Sequence, residues 1–301
     1  MGMEISKHGN LYVVADVHSF YSSLIRALDE AGFFSDPKGK LVLLGDAFDR
    51  GEETLELMNF LLKLLREDRL IYIRGNHEDL LEDLVRLLST NSYKYMMDDF
   101  NRNRTTDTVI SIANMYYDDE ADCLKYYGKD DWQYMDYEKV MLQPLITVEL
   151  ARESVYYKKL RTYLNYYETE HYVFCHGWVP TDIVHANNKD KSVYNPNWRS
   201  DDMDWRRARW TNGMEACVSD GAAIPDKTVI CGHFHTGWGH ENLHGNDGAS
   251  REPFLDYGII AIDGGTYVDE PAEAKVVNCI VINEKEQAIF KGEVIFDPAD
   301  R

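Results

Sequence analysis

No stretch of this 301-residue chain comes near the roughly 20 consecutive apolar residues that a membrane-spanning helix needs. Residues 1–8 carry neither the positive nor the apolar block of a secretory signal, so a soluble, cytoplasmic protein without membrane partners is expected. Cysteine is sparse: Cys123, Cys175, Cys217, Cys231 and Cys279 are scattered, odd in number and free of Cys-x-x-Cys spacing. That argues against a disulfide framework, suits a reducing compartment, and makes Cys175 and Cys231 small core residues rather than ligands. Positive charge is also short, with 32 Lys and Arg against 52 Asp and Glu and a formal net charge of −20. Such a surface repels a long polyanion, because nucleic-acid binding depends on neutralising phosphates with Lys and Arg. A small phosphorylated substrate stays open, since one or two arginines can meet its charge locally.

What is present suffices for a sizeable core, at 44% hydrophobic residues. Residues 11–77 read as β-α-β-α-β, with Leu24, Ile25 and Leu28, then Leu55, Met58, Leu61, Leu62 and Leu65, at helical spacing between apolar strand runs. Such a repeat implies parallel strands joined by right-handed crossovers. A further helix is expected over 79–88. From about 89 to 170 the chain turns tyrosine-rich and acidic and looks mainly helical, most clearly over 147–167, as an insertion that is either a lid or a packing appendage. Residues 180–226 read as irregular, and the stretches 259–262, 276–282 and 288–296 as strands closing a second sheet.

Five short strings follow apolar runs in order: Ala15-Asp16-Val17-His18, Gly45-Asp46-Ala47-Phe48-Asp49-Arg50-Gly51, Arg74-Gly75-Asn76-His77-Glu78, His176-Gly177 and Gly232-His233-Phe234-His235. Asp16, Asp46 and Asn76 succeed one another at intervals of 30 residues. Five polar loops at the ends of five buried strands lie where open α/β sheets gather their chemistry. Carboxylate, amide oxygen and imidazole are donors that hard-to-borderline divalent metals accept. A lone Asp-x-His string is weak, but the ordered set of five is not.

The set resembles the signature of the calcineurin-like metallophosphoesterases. Its second and third strings resemble the phosphoprotein phosphatase branch, which holds serine/threonine phosphatases and symmetrical diadenosine tetraphosphate hydrolases. The resemblance implies an α/β fold of two packed mixed β-sheets flanked by helices. It would form one domain over 1–301 with a mainly helical insertion at about 89–170. It also implies two divalent or trivalent metal ions, manganese, iron or zinc. Asp16, His18 and Asp46 would serve the first, and Asn76, His176 and His233, with Asp46 bridging, the second. By the same resemblance His77 is a general acid, Asp49 orients it, and Arg50 grips the substrate phosphate. A second arginine is expected on the phosphate, with Arg209 the nominal choice over Arg206 and Arg207; cation and aromatic packing against Trp205 or Trp210 is the competing use. Tyr267 occupies a place resembling a substrate-facing loop tyrosine, against a plain turn or core role.

Three departures from the pattern matter. Ala15 and Ser19 replace glycines of the first string, both small enough to leave the ligands in place. Trp178 stands where a second glycine is common, and a ring there is expected to narrow the mouth. His235 adds a histidine to the fifth string that the wider superfamily gives to the first metal. His240 and His244 read as exposed loop residues. The expected activity is hydrolysis of phosphomonoesters on a phosphorylated protein or small phosphoester. Hydrolysis of dinucleoside polyphosphates is the alternative enzyme, and a silent phosphoprotein-binding scaffold the alternative from another class.

Overall fold

A computed structural model describes residues 9–88, 102–126, 163–186, 189–200, 202–246, 248–266 and 275–300. The 147–162 part of the helix expected over 147–167, and the assignment of Tyr267, lie outside the described residues. The first half runs β1 (Leu11–Val14), α1 (Tyr21–Glu30), β2 (Lys40–Leu43), α2 (Thr54–Arg66), β3 (Leu70–Tyr72) and α3 (Asn76–Leu88). It continues with α4 (Thr105–Ala113), β4 (Met115–Asp118) and β5 (Cys123–Tyr126). The second half holds β6 (Tyr167–Glu168), β7 (Tyr172–Phe174), β8 (Thr181–Ala186), β9 (Lys189–Tyr194), α5 (Asp202–Ala208), β10 (Thr228–Cys231) and α6 (Thr236–Asn242). Five strands close it: β11 (Phe254–Asp256), β12 (Ile259–Ala261), β13 (Ile280–Ile282), β14 (Ala288–Phe290) and β15 (Glu293–Phe296).

Two mixed sheets form, in the orders β15-β14-β13-β1-β2-β3 and β11-β12-β10-β7-β6. Strands β1, β2 and β3 pair in parallel, as do β7, β10 and β12, while the outer strands run antiparallel. The period of two along each strand decides which layer a side chain joins. Leu11, Val13, Ala15, Val42 and Leu44 meet Tyr172, Phe174, Ile230, Ile260 and Ile262 between the sheets. Their neighbours Tyr12, Val14, Leu41 and Leu43 point outward into a layer with Leu57, Met58 and Leu61 of α2. Val173, Cys175, Val229 and Cys231 form the other outer layer, with Trp178, Trp198 and Trp205. Strands covered on both faces explain why they read as unbroken apolar runs.

Several expectations change. The inserted segment is not uniformly helical: after α4 the chain makes the β4–β5 hairpin, whose partners run from Met115↔Tyr126 to Asp118↔Cys123. Tyr167 lies in a strand rather than a helix, paired with Phe174. Residues 180–226 hold a hairpin and a helix rather than irregular chain. The last strands do not close one sheet: β12 joins the second sheet, whereas β13, β14 and β15 extend the first beyond β1. Among the described residues no helix is long and apolar enough to cross a membrane.

Candidate metal centre

The first, second and fifth polar strings leave their strands through backbone that L-residues rarely adopt. Asp16, His18, Ser19, Asp46, Asp49, Arg50 and His233 have φ of 52°, 51°, 58°, 51°, 74°, 60° and 68°. A non-glycine residue there costs about 1–2 kcal/mol, so surrounding bonds must hold the turns. His18 and Ser19 donate backbone N–H groups to Asp46 and Ala47 carbonyls at 2.9 and 2.7 Å, and Gly51 donates to His18 at 2.9 Å. The Glu78 carboxylate accepts the N–H groups of Gly75, Asp46 and Ala47 at 2.7, 2.9 and 3.0 Å and the Tyr72 hydroxyl at 2.7 Å. Glycine is required where the strings approach one another: a Cβ on Gly45 would enter the Gly75 backbone, and one on Gly232 would strike the Asp16 carboxylate.

Asp46 is the hub. His18 Nε2 and His77 Nε2 each stand 3.8 Å from its Oδ2, and His176 Nε2 stands 3.4 Å from its Oδ1. Two groups of donors able to converge on a cation result, His18 with Asp46 and His77, and Asp46 with His176 and His233. Asn76 joins the second through Oδ1, 2.7 Å from His176 Nε2. Carbonyls orient the rings: His18 Nδ1 donates to Phe48 at 2.9 Å and His176 Nδ1 to Leu44 at 2.7 Å, leaving each Nε2 turned inward. Asp16 is anchored beside them, its Oδ2 accepting the His233 N–H at 2.9 Å.

The electrostatics suit cations. Burial, reinforced by the Asp263 and Asp46 charges, pushes the Asp16 carboxyl well above its ordinary range. Burial also pushes the Asp46 carboxyl up, but the surrounding His176, His77, His18 and His233 outweigh it and hold the group below its ordinary range. Burial keeps His18 well below the usual imidazole range and lowers His233 to about 4, which leaves both neutral and able to donate a lone pair. Crowded buried carboxylates with neutral imidazoles are a donor set that fits two metal ions.

His77 sits against this cluster but is held from behind. Its Nδ1 donates to Asp49 Oδ2 at 2.6 Å, its N–H donates to Asp46 Oδ1 at 2.9 Å, and an Arg50 Nη2 lies 3.4 Å from its Nε2. Burial depresses the imidazole, yet the Asp46 and Asp49 carboxylates prevail and raise it above its ordinary value. His235 is half-buried against Asp263: its Nδ1 is 3.0 Å from Asp263 Oδ2, and it lies outside both donor groups. Arg209 is committed elsewhere, buried and forked on Asp79 at 2.7 and 3.1 Å, with Asn165 on its third nitrogen at 3.0 Å. Arg206 pairs with Asp83, and Arg207 donates to the Thr181 carbonyl at 2.8 Å.

The expectation for Trp178 is corrected: its ring is fully buried in the outer layer of the second sheet and does not reach the mouth. An exposed aromatic beside the site is Trp210, 49% exposed and edge-on to His233 with ring centres 5.9 Å apart. His244 is exposed as expected, stacked on Phe254, whereas His240 is half-buried on α6. Asp263, Thr105 and Thr108 are absent from the sequence reading, and Trp210 entered it only as a packing partner for the nearby arginines. Asp263 shared the available signal, a polar residue just after an apolar strand. Nothing in the sequence points the two threonines of α4 at Asp49.

A model of the family described as calcineurin-like phosphoesterase matches residues 9–264. Serine/threonine-protein phosphatase 1 of Salmonella typhimurium is 37% identical over 82 residues, 27% of this chain and 35% of that protein. A Caenorhabditis elegans sequence named as a candidate serine/threonine-protein phosphatase is 40% identical over 68 residues, 22% of this chain and 18% of its own length. The chain thus spans about a third of the first relative and a fifth of the second. Among solved structures, a cold-active protein tyrosine phosphatase is similar at a TM-score of 0.50 and 13% identity, covering 97% of this chain and 80% of that one, which is a likeness of fold.

Proposed function

This chain belongs to the calcineurin-like phosphoesterase family, and from that premise we propose that it is a metal-dependent phosphatase acting on phosphomonoesters, of the serine/threonine phosphatase type. The observation carrying the reading is the position of Asp46, shared by two groups of donors. Two ions held there, of manganese, iron or zinc, would supply Lewis-acid activation of water and neutralise phosphoryl oxygens. Asp16, His18 and Asp46 would hold one, with His235 joining on release from Asp263; Asp46, Asn76, His176 and His233 would hold the other.

The rest of the work falls to the chain's own side chains. Arg50, whose guanidinium lies beside His77 Nε2, binds phosphoryl oxygens with its planar fork. His77 carries the proton that the leaving oxygen takes as the phosphorus–oxygen bond breaks and the water oxygen bonds to phosphorus. Asp49 favours the protonated ring and fixes its tautomer by accepting from Nδ1. Arg209, bound to Asp79, is given no phosphate-binding role in this proposal.

The test is turnover of p-nitrophenyl phosphate and of phosphoserine and phosphothreonine peptides by protein stripped with chelator and reloaded with manganese, iron or zinc. Metal-dependent release of phosphate is expected. Binding of phosphopeptide without turnover under any metal would favour the silent scaffold instead.

A further inference from the structure

The Asp49–Arg50 turn is strained, two successive non-glycine residues with φ of 74° and 60°. The first turn of α4, inside the inserted segment, closes on it from outside. Thr105 Oγ1 donates to Asp49 Oδ2 at 2.7 Å, and Thr108 Oγ1 donates to Asp49 Oδ1 at 2.6 Å. The Thr108 hydroxyl also accepts the Asp49 N–H at 3.1 Å. Arg104, itself at φ 58°, donates from Nη1 to the Arg50 carbonyl at 2.7 Å while its Nε pairs with Asp107 at 2.7 Å. Thr105, Thr108, Asp49 and His77 are all buried. Thr105 and Thr108, one helical turn apart, therefore present their hydroxyls to the two oxygens of one carboxylate.

We infer that the first turn of α4 is a positioning element for the proton-donating pair: Thr105 and Thr108 fix the plane of the Asp49 carboxylate, and Arg104 holds Arg50 in its strained conformation. This rests on the reading of His77 as the acid. A carboxylate that accepts from His77 through Oδ2 alone can rotate about its Cβ–Cγ bond. With a hydroxyl on each oxygen it cannot rotate without breaking a buried hydrogen bond, which is costly. The inserted segment is thereby more than packing: α4 completes the site from a stretch that, among the described residues, supplies no member of the donor groups. No contact with substrate or metal is assigned to these threonines.

The experiment compares Thr105→Val, Thr108→Val and the double variant, which keep shape and lose the donor, with Thr105→Ser and Thr108→Ser, which keep it. The double Val variant is expected to lower kcat on an alkyl phosphate by about 10- to 100-fold, as supporting hydrogen bonds to functional groups commonly do. KM and bound metal should stay unchanged, the loss on p-nitrophenyl phosphate should be smaller, and the Ser variants should recover most of the rate. The far-downfield proton resonance of His77 Nδ1–H should move or broaden in the Val variants and persist in the Ser variants. An unmoved resonance, or an equal loss on both substrates, would overturn the positioning role. His77→Asn is run in parallel: if that variant shows no leaving-group dependence, the acid reading fails while the resonance still reports on the clamp. If it does and the Val variants do not, the clamp alone fails. Should a Val variant not fold, the same readouts on Arg104→Lys and Thr108→Ser decide: altered rates with Thr108→Ser at parental resonance would contradict it.

Discussion

The Nδ1 of His77 lies 2.6 Å from Asp49 Oδ2, so the ring's second nitrogen is the one presented to Asp46 and Arg50. His77 thus stands within reach of the first donor group, with His18 and Asp46, while being held by Asp49, a carboxylate in neither group. This division makes its role separable from that of the ligands. His77→Asn is expected to retain metal while slowing alkyl phosphates by about 10²- to 10⁴-fold, the usual worth of a general acid. p-Nitrophenyl phosphate, whose leaving group scarcely needs a proton, should suffer less; matching losses would make His77 a ligand or a packing residue.

Asp46 faces both donor groups, so Asp46→Asn should lower the content of both metals and remove most activity, as elemental analysis and turnover would show. Full activity would falsify the two-metal assignment. His235→Ala is the sharper probe, because His235 starts on Asp263 at 3.0 Å rather than in a donor group. A raised requirement for one metal only is expected, and an unchanged titration would confine His235 to its pairing with Asp263.

Acid should weaken the metal-free protein through His233. Burial lowers this imidazole to about 4 when folded, against about 6.5 in an unfolded chain. Between those values the unfolded state binds more protons, so this residue's contribution to stability falls as pH falls through the window. His233→Gln removes that slope, and the gap in denaturation free energy between parent and variant should change progressively from pH 6.5 to 4. A gap independent of pH would contradict the buried, neutral imidazole. His77 has the opposite sign, since its raised value favours the folded, protonated ring below about 6.5 and that benefit fades as pH rises through the folded value.

Arg209 illustrates what sequence spacing conveys and what it does not. The ends of β1, β2, β3, β7 and β10 were legible because an apolar run followed by a polar string is a local pattern, and Asp16, Asp46, Asn76, His176 and His233 all follow such runs. The partners of those residues were not, because a hydrogen bond such as Thr108 to Asp49 joins positions 59 residues apart and leaves no local trace. Trp178 was misjudged, and Trp210 overlooked as a neighbour of the site, for the same reason. Two tryptophans near candidate site residues look alike in sequence, and only the fold decides that one is buried and the other stands beside His233. The expected single sheet for the last strands failed because strand order depends on long crossovers.

Buried and forked on Asp79, Arg209 should matter for stability more than for substrate. Arg209→Leu leaves Asp79, among the described residues, with the charge of Arg74, whose Nε is 2.6 Å away. Removing one partner of a buried pair costs about 3–5 kcal/mol, and the remaining arginine places this case at the lower end. Urea denaturation should register the loss, with KM for phosphopeptides unchanged in the folded fraction. A raised KM at unaltered stability would restore Arg209 to the phosphate.

Substrate class turns on what flanks the metal donors. The net charge of −20 disfavours long nucleic acids but not a small phosphoester. With Trp178 buried, Trp210 offers an accessible aromatic face next to His233. That face suits the flank of a phosphopeptide or a nucleobase, so it divides the two enzyme readings. Arg50 beside His77 suits a terminal phosphate with a protonated leaving oxygen, and phosphomonoesters are therefore expected to be preferred. The comparison is kcat/KM for phosphoserine and phosphothreonine peptides against diadenosine tetraphosphate on one metal-loaded preparation, repeated with Trp210→Ala. Loss of Trp210 should raise KM for the peptides and leave p-nitrophenyl phosphate little changed. A hundredfold preference for the dinucleotide, about 2.7 kcal/mol of transition-state discrimination, abolished by Trp210→Ala, would make dinucleoside polyphosphate hydrolysis the activity instead.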